Sequence, residues 1–444
     1  MQFKEYPSYK NSGVEWLGEV PSHWDVMQLK SGIKSWRNGK WGNDAVPNDN
    51  DDNLVCVRVA DFDRNKGIVA TNKLTLRNYS GEKINDCLLT NKHILIERSG
   101  GGENQLVGAT VRFTLDSKAV CSNFISLLEI HDALNIKYMQ YSFEHLYHLN
   151  VNKLSIKQTS GIQNLDLKQY IQNGFSFPNI TEQTQIANYL DQETQKIDTL
   201  IAKQEKLIEL LEEQRKSVIS HAVTKGLDPN APMKDSGVEW LGDVPSHWEV
   251  IPSKFYFNER KEKANHSDKQ LTASQRYGII YQEDFMAENG RVMVVMKNPE
   301  ILKKVRPNDF VISMRSFQGG LELSYLDGSI SSAYVMLKPN LKFVNIEYFK
   351  YLFKTTRYIQ SLQSTSNLIR DGQALRFNNF SQVKLILPSI LEQKNIVTIL
   401  DQETIRINTL IAKQQALIEK LKEYRASIIS HAVTGKIDVR ELVA

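Results

Sequence analysis

"LDQETQKIDTLIAKQ" (Leu190–Gln204) returns far down the same chain as "LDQETIRINTLIAKQ" (Leu400–Gln414). Around the first copy, from Glu182 to about Ala222, there is no Pro or Gly, and Glu, Gln, Lys, Leu and Ile dominate, which predicts helix. Ile186, Leu190, Ile197, Leu200, Ile201, Leu207, Ile208, Leu211 and Val218 recur every three or four positions, and Ile396, Leu400, Ile407, Leu410, Ile411, Leu417, Ile418, Leu421 and Ile428 repeat the pattern. That spacing is close to a heptad seam. Thr181 is placed to cap the start. Gly226 and Pro229 stop the first copy and Gly435 the second. About forty residues at the helical rise give a rod of roughly 60 Å. Alone it would expose its apolar stripe, so each copy is the natural partner of the other. Gln204 and Gln414 fall mid-seam, where a polar side chain fixes register.

The similarity spreads outward from the helices. Pro178–Asp228 matches Pro388–Asp438 at more than half of its positions, ending in a shared "SHAVT". "SGVEWLGEVPSHWDV" (Ser12–Val26) returns as "SGVEWLGDVPSHWEV" (Ser236–Val250), changed only where Glu and Asp trade places. The chain is thus one plan written twice: short phrase, divergent segment, helix. The division is 1–26 first clasp, 27–177 first variable domain, 178–224 first helix, 225–250 linker and second clasp. It continues as 251–387 second variable domain, 388–434 second helix and 435–444 tail. A two-fold relation between the copies would lay the helices antiparallel, with a variable domain at each end. Trp16 and Trp24, like Trp240 and Trp248, would form apolar clasps where each variable domain meets the rod. Packing is their simplest role, and two equal clasps also offer equivalent surfaces to two copies of one partner.

At 444 residues the chain calls for more than one core. No window approaches the ~18 apolar residues of a membrane span, and "MQFKEYPSYK" has no apolar core of a secretory signal. Cys56, Cys87 and Cys121 form no close pair and read as reduced thiols of a cytoplasmic protein. A net charge of +4 barely favours nucleic acid by itself.

The order "VPSHW", divergent segment, "FPNITEQTQIANYLDQETQKIDTLI", "SHAVTKGLDPNAPMKDSGVEWLGDVPSHWEV", divergent segment, "LPSILEQKNIVTILDQETIRINTLI", "SHAVTGKIDVR" resembles the specificity subunit of type I restriction-modification systems, over essentially the whole chain. The resemblance implies a mixed α/β fold with two target-recognition domains held apart by a long antiparallel two-helix coiled coil. Each domain would read half of a split, asymmetric site in double-stranded DNA. Two modification subunits would dock on the shared frame, and restriction subunits would join them. S-adenosylmethionine, ATP and Mg would belong to those partners, with no cofactor or metal and no membrane for this chain.

The variable segments echo one another weakly. "HILIERSGGG" (His93–Gly102) answers "DFVISMRSFQGG" (Asp309–Gly320), "CSNFISLLEI" (Cys121–Ile130) answers "SSAYVMLKPN" (Ser331–Asn340), and "NIKYMQYSFEHLYHL" (Asn135–Leu149) answers "NIEYFKYLFKTTRYI" (Asn345–Ile359). If the halves read different sequences, residues common to both are not base readers. Arg98, Ser99, Arg315 and Ser316 are therefore assigned to phosphate contact or loop support. Base readers belong where the halves diverge and side chains offer paired hydrogen bonds. In the first domain these are Trp36, Arg37, Asn38 and Lys40, then Asn104 and Gln105, then Lys157, Gln158, Gln163 and Asn164. In the second they are Arg260, Gln275, Arg276 and Tyr277, then Gln318, then Asn367, Arg370 and Gln373.

Catalytic signatures are missing. An adenine methyltransferase of this kind needs an Asn-Pro-Pro-aromatic motif, and "KNPEIL" (Lys297–Leu302) is incomplete. There is no phosphate loop for a motor. "NDNDDN" (Asn48–Asn53) lacks the carboxylate-lysine spacing of a nuclease, and His23 and His247 have no nucleophile at fixed spacing. A non-catalytic chain is expected, with methylation of a flipped adenine left to a partner. The competing readings are a coiled-coil scaffold whose variable domains bind proteins, and a stand-alone DNA-binding regulator.

Overall fold

The computed structural model describes all residues except 1–3, 50, 103–104, 160, 290–300, 315, 366–374 and 443–444. Two compact units emerge: Met1–Glu205 with Gln415–Ala444, and Lys206–Gln414. The long helices, Ile180–Lys225 and Ile390–Val433, each contribute to both units, so each unit holds the start of one and the end of the other.

The first helix begins two residues earlier than expected. Its cap is Asn179, whose side chain accepts the Glu182 N–H at 2.9 Å, and not Thr181. Ser389 does the same for Glu392 at 3.2 Å in the second helix. Both helices end where Gly226 (φ 80°) and Gly435 (φ 70°) adopt the left-handed conformation that closes a final turn.

In the first unit Ile186, Leu190 and Ile197 from one helix start share a core with Ile428, Ile429 and Val433 from the other helix end. In the second unit Val223 packs with Ile396 and Leu400, and Leu211 meets Ile407 and Ile411. A start lies against an end in both cases, so the helices are antiparallel within each unit. The expected stripe is too broad at Leu200, Leu207 and Leu417, which lie off the seam and stay exposed.

The clasps tie these helices to the domains. Glu19–Pro21 pairs with Tyr9–Asn11, and Asp25–Gln28 pairs with Gly174–Phe177, the strand that leads into the first helix. In the second unit Asp243–Pro245 pairs with Met233–Asp235, and Glu249–Pro252 with Lys384–Leu387. Each phrase thus supplies a strand that fixes how the chain enters a long helix.

Both variable domains are mixed α/β around one shared element. In the first, the fully buried strand His93–Glu97 pairs antiparallel with Ile125–Ile130, which pairs with Ile33–Asn38. In the second, Phe310–Ile312 pairs with Val335–Pro339, which pairs with Phe257–Arg260. The first domain extends this sheet to six strands and adds a four-stranded one. A helix follows in each, capped by Asn135 or Asn345, and the backbone N–H of that Asn donates to Gln183 or Gln393 in the first turns of a long helix at 2.9 and 2.8 Å. The helical echo differs in one respect. Ile136–His148 is continuous, whereas its counterpart breaks into Ile346–Leu352 and Thr356–Ser364. Thr355 causes the break: its hydroxyl donates to the Leu352 carbonyl at 2.7 Å and caps the Tyr358 N–H.

Candidate nucleic-acid interface

In the first domain, two stretches separated by tens of residues meet at one turn, Ser122–Ile125, and a third joins them through Ser99. Asn38 accepts from the Ser126 hydroxyl at 2.9 Å. Gly39 N–H donates to the Ile125 carbonyl at 2.9 Å and Lys40 N–H to the Cys121 carbonyl at 2.8 Å. From the other side, Arg98 and Ser99 N–H groups donate to the Phe124 carbonyl at 2.8 and 3.1 Å. Ser99 then donates to Asn164 at 2.7 Å, joining Ser99–Gly100 to the hairpin formed by Ile156–Thr159 and Ile162–Leu165. Segments 38–40, 98–100 and 162–165 are thus linked through this turn and Ser99. Arg37 and Asn38 are exposed there and Arg98 is partly exposed.

Beneath it lies a charged support. Glu97 is buried and receives Arg64 at 2.9 Å. Burial pushes its carboxyl above the ordinary glutamate range, and the Arg64 guanidinium opposes that shift. A cleft of about 650 Å³ lined by Val59, Phe62, Glu97, Gly101 and Gln105 opens beside this pair.

In the second domain, Leu271–Ser274 and Gly278–Tyr281 form a hairpin with Gln275, Arg276 and Tyr277 at its turn. The Gln275 side chain lies against Gly319, in the space a Cβ would take, and Gln318 beside it is exposed. Two of the three divergent stretches therefore meet. Arg276 also rests over the Tyr277 ring, 5.1 Å from its centre.

A family model described as the type I restriction modification DNA specificity domain matches residues 21–210. Over this segment the chain is similar to the type I restriction-modification specificity family. A putative type I restriction enzyme MjaX specificity subunit of Methanocaldococcus jannaschii is 23% identical over 99% of both chains. The MjaVIII specificity subunit of the same organism is 24% identical over 64% of this chain and 66% of its own. Among solved structures, a chain from a type I R-M system has a TM-score of 0.66 at 14% identity, covering 93% of this chain and 98% of that one. The HsdS subunit of Thermoanaerobacter tengcongensis has a TM-score of 0.51 at 13% identity, covering 94% and 98%. At these identities the structures establish a shared fold.

Against the reading roles expected of a specificity chain, several side chains are engaged inside the protein. Arg260 is nearly buried and forked onto Asp309 at 2.6 and 2.9 Å, so it braces the sheet and offers nothing to a base. Gln163 is buried, with its carbonyl accepting from Val107 N–H and its amide donating to Gly102 O, both at 3.1 Å. It shapes the glycine loop. Lys40 donates to the Lys83 carbonyl at 2.8 Å. Ser316 is buried and accepts from the Ser313 N–H at 2.8 Å, which is loop support and not phosphate contact. Trp36 is half-buried against the first core. Lys157 pairs with Asp166 at 2.8 Å but remains largely exposed, free to change partner. Gln105 and Gln158 are exposed. Asn104, Arg315, Asn367, Arg370 and Gln373, with most of "KNPEIL", lie outside the described residues.

The clasp tryptophans divide by depth. Trp24 and Trp248 are fully buried and cannot touch a partner directly, which corrects their assignment as partner-binding residues. Trp16, stacked on Phe175 at 5.9 Å, and Trp240, edge-on to Tyr358 at 5.7 Å, are only half-buried. His23 and His247 lie 3.0 and 3.1 Å from Glu182 and Glu392, so each histidine holds the first turn of a long helix. All three thiols are free and buried, and burial raises each of them. Among the described residues no group of three or more His, Cys, Asp or Glu is placed to hold a metal ion, and no helix is long and apolar enough to cross a membrane. Phe124, at the centre of the first surface and 47% exposed, escaped the sequence reading.

Proposed function

We propose that this chain is the sequence-reading, non-catalytic subunit of a type I restriction-modification complex. Its two variable domains each read one half of a bipartite site in double-stranded DNA, and the helical pair sets the spacer between the halves. The observation that carries this reading is the meeting of the divergent segment around Asn38–Lys40 with the shared Arg98–Ser99 loop at the Ser122–Ile125 turn, with the divergent Asn164 bonded to Ser99. A divergent side chain that merely fills solvent has no reason to converge, whereas a duplex groove needs its readers on one surface. Two modification subunits would dock on the duplicated clasps and helices. Restriction subunits would join them, and S-adenosylmethionine, ATP and Mg would act on those partners, in the cytoplasm.

A titration of the full chain against duplex DNA in rising salt tests the reading. Phosphate neutralisation predicts a steep linear fall of log affinity with log salt. A flat response, or no binding with or without modification subunits, would instead favour a scaffold whose domains bind proteins. Tight specific binding left unchanged by a modification subunit would favour a stand-alone regulator.

A further inference from the structure

Phe124 is exposed but held on an unusually fixed piece of backbone. Its carbonyl takes two N–H donors, from Arg98 and Ser99. The residue before the turn, Cys121, is held by Lys40 N–H, and the residue after it, Ile125, by Gly39 N–H. Ser122 N–H donates to the Val57 carbonyl at 2.8 Å and Ile125 N–H closes the turn on Ser122 at 3.0 Å. Gly39 lies so close that an added Cβ would overlap the carbonyl oxygens of Cys121 and Ser122. The phenyl group joins none of the buried apolar clusters.

A single exposed phenyl needs no explanation by itself. This one stands on a rigid turn whose backbone is bonded to Gly39, Lys40, Arg98 and Ser99, next in the chain to the exposed Arg37 and Asn38. Apolar side chains presented among cationic and amide groups are the kind that enter between base steps or stack on them. We propose that Phe124 is the apolar wedge of the first reading surface, set against a base step of duplex DNA; this rests on the DNA-reading function proposed above. The second domain has Tyr334 at the corresponding place in the echo, but that ring packs beside Leu271 and Val305. The wedge therefore serves one half-site only.

The test uses the full-length chain and duplex DNA. Wild type first selects sequences from a randomised duplex pool, and the selected duplex becomes the probe. Phe124→Ala should bind that duplex about tenfold or more weakly, with the slope of log affinity against log salt unchanged, because no phosphate contact is lost. Phe124→Leu should retain most of the affinity, and Phe124→Gln should repeat the loss if the Ala variant melts early. Arg98→Gln should instead lower the salt slope by about one. Reselection with Phe124→Ala should relax one half of the site only. Wild-type affinity in both Ala and Gln variants, or relaxation of both halves, would overturn the wedge alone. Failure of wild type to enrich any sequence, alone and with modification subunits, would overturn the DNA-reading function and the wedge with it.

Discussion

Arg425 on the second helix reaches Asp198 on the first at 3.2 Å, while Arg215 on the first reaches Asn408 on the second at 2.7 Å. These are the same two positions of the repeat, seen once in each unit. Their surroundings differ. Arg425 is nearly buried and also engages Glu144 on the neighbouring helix and the Asn65 carbonyl. Arg215 is only partly buried and faces a neutral amide, and the position answering Glu144 is Lys354, which turns away to Glu322. The first domain is thus locked to its helices by a buried cation, and the second is not.

Arg425→Ala should destabilise the first unit by about 3 kcal/mol or more, since it strands two carboxylates around a buried gap. Arg215→Ala should cost less than about 1 kcal/mol. Hydrogen exchange resolved along the chain would separate the two, with the loss in the first case centred on Glu144 and Asp198. Burial already raises the Asp198 carboxyl while Arg425 lowers it. Without the arginine the folded carboxyl rises further, so the penalty should shrink as pH falls.

The buried Glu97–Arg64 pair gives a sharper pH test. A carboxyl raised in the folded state costs stability as pH climbs from the unfolded value through the folded one. Arg64→Met removes the opposing charge, so its destabilisation should reach about 3–5 kcal/mol near pH 8 and fade towards the ordinary glutamate range. Arg64→Met with Glu97→Gln should lose that pH dependence. Urea midpoints at several pH values would show both effects.

The two deep tryptophans should respond unequally to a conservative change. Trp24 donates from its ring nitrogen to Glu182 at 3.0 Å, whereas the Trp248 ring nitrogen is buried with no partner among the described residues. Trp→Phe leaves a similar void at both sites. Trp24→Phe should therefore cost about 1.5–3 kcal/mol more than Trp248→Phe. Equal losses in thermal melts would mean that the hydrogen bond contributes little.

Removing one heptad from each helix, Glu205–Leu211 with its counterpart Gln415–Leu421, keeps the seam in phase. It should shorten the spacer of the selected DNA site and leave both half-sites intact. A changed half-site at constant spacer would count against the helices as a ruler.

The frame was legible because it is written twice. A periodic stripe repeated with its caps and its tryptophan phrase admits few folds, and antiparallel pairing follows once the copies are related by a two-fold, although the connecting segment by itself allows either direction. Even there the cap was misplaced by two residues, since Asn179 and Thr181 are chemically alike and only backbone geometry chooses between them. Inside the variable domains the sequence spoke less clearly. Arg260 and Arg37 look the same in a divergent segment, yet one finds Asp309, 49 residues away, and the other meets no acid among the described residues. Gln163 looked like an adenine reader until both ends of its amide met backbone. Phe124 went unread in the sequence, because nothing local reveals that its turn is pinned from both sides.

Replacing residues 27–177 with the corresponding segment of another specificity chain, then selecting duplexes with the full chain and its modification subunits, tests the two-reader frame most directly. One half-site should change completely while the other half and the spacer stay as they were. A chimera that folds and binds but changes both halves, or neither, would contradict it.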